Sequence, residues 1–123
     1  MKKIAILTAF ALCVTATAFA ADNITMASTL TSTTTGKSVW AAKSGAAAGT
    51  GLVGKSSSGV GVGMLTSATG YAVVTQHVNG TKAFGTSYDS TSIYTKLVTT
   101  KGTPVLTVPT AITTANFTSW TSM

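Results

Sequence analysis

The stretch that decides the fold is GVGVGMLTSATGYAVVTQHVNGTKAFGTSY, residues 59–88. Residues 59–66 alternate apolar side chains with glycine, a period of two that is typical of a β-strand with small residues on one face. Residues 67–70 are rich in turn formers, and Asn79-Gly80 is a strong hairpin signal between two strand-like runs. The stretch therefore predicts three antiparallel strands joined by tight turns.

Segments on both sides extend this pattern. Residues 91–98 predict another strand, and residues 24–30 predict one possible strand earlier in the chain. Residues 103–108 predict a last extended piece, whose two flanking prolines favour a sheet edge or irregular structure. The predicted fold class is mainly β: an antiparallel meander sheet with a short helical or irregular N-terminal segment.

The same sequence predicts how the strands are packed. Glycines inside a strand often mark close approach by another backbone or a bulky ring, and those of residues 59–66 share one predicted face. Residues 111–123 are mostly polar but include Phe117 and Trp120. We therefore expect a C-terminal tail that packs on the sheet.

The first twenty residues have the pattern of a secretory signal-peptide helix. Lys2 and Lys3 precede an apolar run at residues 4–14, and small residues lead to a predicted cleavage site between Ala20 and Ala21. We expect an exported protein, periplasmic or part of an extracellular pilus. The predicted organisation is a signal peptide (1–20), a Thr/Ala-rich extension (21–50) and a β-rich head domain (51–123).

The composition of the exported part limits its function. Six lysines, two aspartates and no arginine give it a net charge of about +4, and the lack of arginine argues against nucleic acid as a partner. It has no apolar stretch of 18 residues, so we expect no direct membrane span. Ile, Leu, Val and Phe make up only 20 of its 103 residues, which predicts a domain stabilised by docking onto something.

The chain offers few groups for catalysis. His77 and Asp89, with Ser87 or Ser90, supply the residue types of a catalytic triad, but serine is common here and no Gly-x-Ser-x-Gly motif is present. One histidine and two distant aspartates make a poor metal site. We therefore expect no enzymatic activity and no cofactor.

Four aromatic side chains have two possible roles. Tyr71, Phe84, Tyr88 and Tyr94 could form an exposed platform for glycans, or two or three of them could pair across strands inside the core. The shortage of large apolar residues favours the core.

The run from residue 54 to residue 97 resembles a known family. Its pattern is similar to that of the second geopilin domain, the globular C-terminal subunit of the split type IV pilin of metal-respiring bacteria. The matching stretch covers a little over a third of the chain. The residues that carry the resemblance are Gly54, Lys55, Ser56, Gly70, Tyr71, Gln76, His77, Gly80, Phe84, Gly85, Tyr88, Asp89, Ser90 and Tyr94.

This resemblance implies a structural role. A β-rich head of this family associates non-covalently with a short pilin partner, whose long hydrophobic helix forms the filament core alongside other filament subunits. The implied function is that of a subunit of a type IV pilus or a pseudopilus-like filament. The alternative is a free secreted binding module, an adhesin or glycan-binding domain that uses the tyrosines.

By analogy with this family, the segment after the leader would meet the partner helix. Small residues let a helix approach closely, and a tryptophan can anchor an interface. Alternatively, Trp40 caps the core of its own domain. The candidate interface residues are Val39, Trp40, Ala41, Ala42, Ala46, Ala47 and Ala48.

Overall fold

The alternating stretch forms the centre of an antiparallel sheet in the computed structural model. The structure describes residues 23–32, 36, 38–40 and 52–123. Eight strands and one 3-10 helix (Thr114–Phe117) lie in these ranges. The strands are β1 (Asn23–Ile24), β2 (Ser38–Trp40), β3 (Leu52–Lys55), β4 (Val60–Ser67), β5 (Gly70–His77), β6 (Lys82–Ser87), β7 (Tyr94–Leu97) and β8 (Thr121–Ser122).

Six of these strands pair in one sheet of order β1-β4-β5-β6-β7-β8, and β2 pairs with β3 in a separate ribbon. Every pairing is antiparallel, and β4 to β7 follow one another in both sequence and space. The predicted mainly β meander is confirmed. The predicted signal-peptide helix lies outside the described residues. Of residues 39–48, the predicted short helical or irregular segment, residues 39–40 belong to β2 and the others lie outside the described residues.

Strand register gives the six-stranded sheet two distinct faces. Gly61 pairs with Gln76 on one face, which we term the inner face, while Val62 pairs with Thr75 on the opposite, outer face. Phe84 of β6 is in register with Thr75 and therefore also lies on the outer face. Along β5 and β6 the inner-face side chains are buried, and the outer-face side chains are half-buried or exposed.

Most of the buried core lies on the inner face, where irregular chain covers the sheet; Val62 on the outer face is also buried, at 9% exposed. Met26 and Leu30 are each 2% exposed and pack against Val74. A side chain at Gly61 would overlap both Met26 and Leu30, so this glycine makes room for them. Residues 23–30, part of the predicted extension, therefore contribute to the core of the sheet.

Two further inner-face glycines accept close contacts of other kinds. The backbone of Thr107 lies over Gly63, and the ring of Phe117 lies over Gly85. A Cβ at either position would overlap these neighbours. The prediction that the glycines of residues 59–66 mark approach by a backbone or a ring is confirmed at Gly63, whereas the close neighbours of Gly61 are aliphatic side chains.

A buried amide holds the segment at residues 103–109 against the sheet. Gln76 is 2% exposed; its Nε2 donates to the Thr103 carbonyl at 2.9 Å, and its Oε1 accepts from the Val105 amide at 3.0 Å. The Gln76 side chain thus makes the hydrogen bonds that the backbone of a neighbouring strand would otherwise make to this segment, which contains two prolines. This segment is irregular, as the prolines indicated.

The C-terminal tail packs on the inner face, as expected. The Phe117 ring stacks on Tyr94 and meets Trp120 edge-on, each with a centroid distance of 5.2 Å. Asn116 holds the loop before the 3-10 helix, because its side-chain oxygen accepts hydrogen bonds from the amides of Thr110 and Ala111. After the helix, β8 pairs with β7.

Two of the predicted strands are shorter than expected. Of the predicted strand 24–30, only Ile24 pairs with β4, together with the preceding Asn23, because the Met26 amide then donates to Thr107 and the Leu30 amide to Gly102 on the inner face. The predicted strand 91–98 begins at Tyr94, since residues 90–92 form a turn. Among the described residues, no helix has the length and hydrophobicity needed to cross a bilayer.

Replacing Gly85 with valine should destabilise the fold strongly. The new side chain would overlap the buried Phe117 ring, and overpacking of this kind costs about 2 to 3 kcal/mol. Urea unfolding followed by tryptophan fluorescence measures this loss. The matched control is Gly54→Val on β3, where a Cβ meets nothing within 4 Å. Equal losses of stability in the two variants would contradict the assigned packing.

Candidate functional site

The outer face of the sheet exposes large apolar side chains. Phe84 is 41% exposed, Tyr71 is 46% exposed and Leu97 is 71% exposed. Met64 of β4 and Val73 of β5 lie on the same face as half-buried register partners. Exposed apolar side chains that share one face are typical of an interaction surface.

One end of this face contains a depression of about 320 Å³. It lies beside the β5–β6 hairpin, and we term it the hairpin groove. Its apolar surface comes from Val60 and Phe84, and polar groups lie around them. The lining residues are Val60, Thr75, Gln76, His77, Gly80, Thr81, Lys82 and Phe84.

His77 offers a hydrogen-bond donor to this groove. Its Nδ1 accepts from the Asn79 amide at 3.2 Å, an interaction that requires an unprotonated Nδ1. The neutral ring therefore carries its hydrogen on Nε2. The hairpin turn itself is closed by the Gly80 amide, which donates to the His77 carbonyl at 2.9 Å.

Lysines concentrate at the hairpin end of the sheet. Lys82 begins β6, and the Gly102 amide donates to Val78 at 2.9 Å, which brings Lys101 to the same end. Lys55 also lies nearby, because the adjacent Ser56 hydroxyl donates to the carbonyl of Val60, the first residue of β4. All three lysines are exposed. This end of the described structure is therefore positively charged.

The acidic side chain of Asp89 lies at the opposite end. It accepts from the Ser87 hydroxyl at 2.7 Å and from the Thr114 amide at 3.0 Å, joining the turn after β6 to the 3-10 helix. The Ser87 hydroxyl bond contributes most to lowering the pKa of Asp89, and the Thr114 bonds add to it. Asp89 thus stabilises a loop junction.

The candidate triad residues are only partly brought together. Ser87 and Asp89 are hydrogen-bonded, but Ser87 pairs with Ala72, and His77 lies five residues further along β5. At the rise of a β-strand this separation is about 17 Å. His77 and Asp89 therefore lie at opposite ends of the sheet and do not form a triad. Within the described ranges, no three His, Cys, Asp or Glu side chains are grouped closely enough to hold a metal ion.

The aromatic side chains divide differently from the favoured prediction. Only Tyr94 packs on the inner face, where it is half-buried and stacked on Phe117. Tyr71 and Phe84 are exposed because they lie on the outer face, and Tyr88 is 46% exposed against Gly70 at the turn end. The expectation of two or three core aromatics among these four is wrong.

The remaining predicted site residues lie in several places. Gly54 and Lys55 are on β3 and Ser56 follows it, while Ser90 is within 3.1 Å of the Tyr94 hydroxyl. Of the candidate partner interface, Val39 and Trp40 form part of β2, and Val39 is half-buried. The candidates outside the described residues are Ala41, Ala42, Ala46, Ala47 and Ala48.

Sequence reasoning missed the roles of Gln76 and Lys101. A single glutamine in an inward row that includes Ala72 and Val74 signals a buried polar contact. Nothing local in the sequence links Lys101 to the groove, because that link depends on hydrogen bonds between distant segments.

The Asp89 contacts predict a defined acid sensitivity. Folding lowers the pKa of Asp89, so the ionised carboxylate stabilises the fold at any pH above the pKa of Asp89 in the unfolded chain. This stabilisation is lost below about pH 4, as the pH falls through the pKa of Asp89 in the folded protein. Asp89→Asn should therefore lower the melting temperature most at neutral pH and least at about pH 2. Thermal unfolding across this range measures the difference, and Ser87→Ala should show the same trend more weakly. A difference that is constant with pH would contradict this assignment.

Comparison with known proteins gives no family assignment for this chain. No family model, curated protein or solved structure matches it. Because a fold alone does not define a function, the exposed surfaces of the sheet are the features that bear on function.

Proposed function

We propose that this protein is a structural subunit of a type IV pilus or pseudopilus-like filament. Its β-rich head would dock non-covalently onto a short helical pilin partner. The observation that carries the proposal is the outer face of the sheet, where Tyr71, Phe84 and Leu97 remain exposed while irregular chain covers the inner face.

The outer face has the chemistry of a docking surface. Its central residues, Met64 and Val73, carry no charge and are already half-buried. Fully burying a side chain such as Phe84 or Leu97 contributes about 1.5 to 3 kcal/mol relative to leaving it exposed. An apolar helix laid on this face would supply the burial that the apolar-poor chain lacks.

Much of the polar chemistry of the described chain serves the fold. Gln76 holds residues 103–105, and Asp89 joins a turn to the 3-10 helix. Both residues belong to the stretch that resembles the geopilin family. Their roles fit a subunit whose task is to keep a stable shape within an assembly.

Two surfaces are candidates for the partner helix. The sequence favours residues 39–48, and the exposed apolar side chains favour the outer face of the sheet. A partner helix could contact both surfaces, so substitutions in each are needed to assign the interface.

Disrupting the correct surface should abolish recovery of the partner. In affinity purification from the native cell envelope, Val73→Lys should reduce the recovered short pilin about tenfold, because it places an unpaired charge in an apolar interface. Trp40→Ala tests the other surface in the same assay. The control is Thr118→Lys, at an exposed position after the 3-10 helix, which should leave recovery unchanged. The proposal fails if no pilin is recovered with the unsubstituted protein.

The exposed aromatics favour a second candidate, a secreted glycan-binding module. Tyr71 and Tyr88 have the exposed rings that stack on sugars, and each is 46% exposed. This function predicts measurable affinity for a polysaccharide on a glycan array, weakened by Tyr71→Ala or Tyr88→Ala without a change in melting temperature. An array that shows no binding by the unsubstituted protein would remove this candidate.

A further inference from the structure

We infer that the hairpin groove binds an acidic polypeptide segment in which an apolar side chain lies next to carboxylates. This inference rests on the proposed function, because it gives the chemistry of the segment through which the partner would dock. It combines three properties of the groove: its apolar wall, its hydrogen-bond donors and the charge around it.

The apolar wall is formed by neighbouring strands of the outer face. Val60 begins β4 and pairs with His77, while Phe84 lies across β5 from it and leaves 41% of its surface exposed. A depression of about 320 Å³ is at the small end of the range for ligand pockets. It is therefore suited to one or two side chains of a larger partner.

The polar rim presents donors. His77 carries its hydrogen on Nε2, because Nδ1 accepts from the Asn79 amide. The Lys82 ammonium has three donors and no acceptor. Gln76 is not available for a ligand, since both ends of its amide bind residues 103–105. The Thr75 and Thr81 hydroxyls of the lining can donate or accept, so a ligand that brings acceptors can be bound by every polar side chain of the rim except Gln76.

The surrounding charge favours carboxylate acceptors. Lys55, Lys82 and Lys101 are exposed at this end of the sheet. The only acidic side chain in the described ranges, Asp89, lies at the other end and is already hydrogen-bonded to Ser87 and Thr114. Because no acidic side chain of the described residues lies at this end, an acidic partner is attracted to it, and the attraction is weakened by salt.

A polypeptide fits these observations better than a lipid surface. The apolar wall is recessed, whereas a bilayer is broad and accepts protruding side chains. Lysine and histidine donors bind carboxylate and phosphate alike, so the recessed shape of the apolar wall decides in favour of a polypeptide.

The test uses protein expressed from the full 123-residue sequence. Its probe is a fluorescein-labelled peptide in which glutamates alternate with leucines, followed by fluorescence anisotropy at low and high salt. We expect saturable binding that salt weakens, and at least about tenfold weaker binding of a peptide with glutamine at every glutamate. Equal binding of the two peptides would overturn the inference.

Two pairs of variants locate the binding site. Lys82→Gln should weaken peptide binding about threefold, while Lys96→Gln should not, because Lys96 binds Ser119 on the other face. Phe84→Thr should weaken binding about tenfold, while Tyr71→Thr, an equally exposed aromatic beyond the groove, should not. Equal effects within either pair would show that binding is not in the groove.

Two further results separate this inference from its rivals and from the proposed function. Preferential binding to phosphatidylglycerol vesicles, with no peptide binding, would overturn it in favour of a membrane surface. Recovery of the short pilin without any acidic-peptide binding would overturn this inference and leave the proposed function standing. Groove-specific peptide binding without pilin recovery would support the inference and reject the proposed function.

Discussion

Gly61, Gly63 and Gly85 create the surface on which the rest of the chain packs. Because these three positions lack side chains, irregular segments approach the inner face of the sheet at backbone distance. The residues that fill the resulting space come from both sides of the central strands in sequence, as Met26 and Phe117 do. The core thus forms largely between the six-stranded sheet and irregular chain, and the described residues contain no long helix.

This packing leaves the two faces of the sheet unequal. Much of the limited supply of large apolar residues is buried on the inner face, and the outer face keeps Phe84 and Leu97 partly in water. The charges are unequal too, with exposed lysines at the hairpin end and Asp89 at the other. A subunit with an apolar face and a charged end favours one orientation of a partner. The partner must place its apolar surface on the outer face and its acidic groups at the hairpin end at the same time.

The central strands could be predicted from sequence because their signals are local. Alternation along β4 and the Asn79-Gly80 turn specify strands and hairpin directly. The strand predicted at residues 24–30 was too long, since the Met26 amide binds Thr107, far away in sequence. The exposure of Phe84 was missed for a related reason: periodicity separates the two faces of a strand but does not show which of them the distant segments cover.

The amide of Gln76 also constrains when the protein can fold. Its hydrogen-bond partners lie 27 and 29 residues later in the chain. The aromatic cluster also needs Phe117 and Trp120, which are later still. Contacts of this length close large loops and form late. During synthesis, the β4–β6 hairpins can therefore pair early, whereas the inner face at Gly63 and Gly85 stays uncovered until Thr107 and Phe117 have been added to the chain.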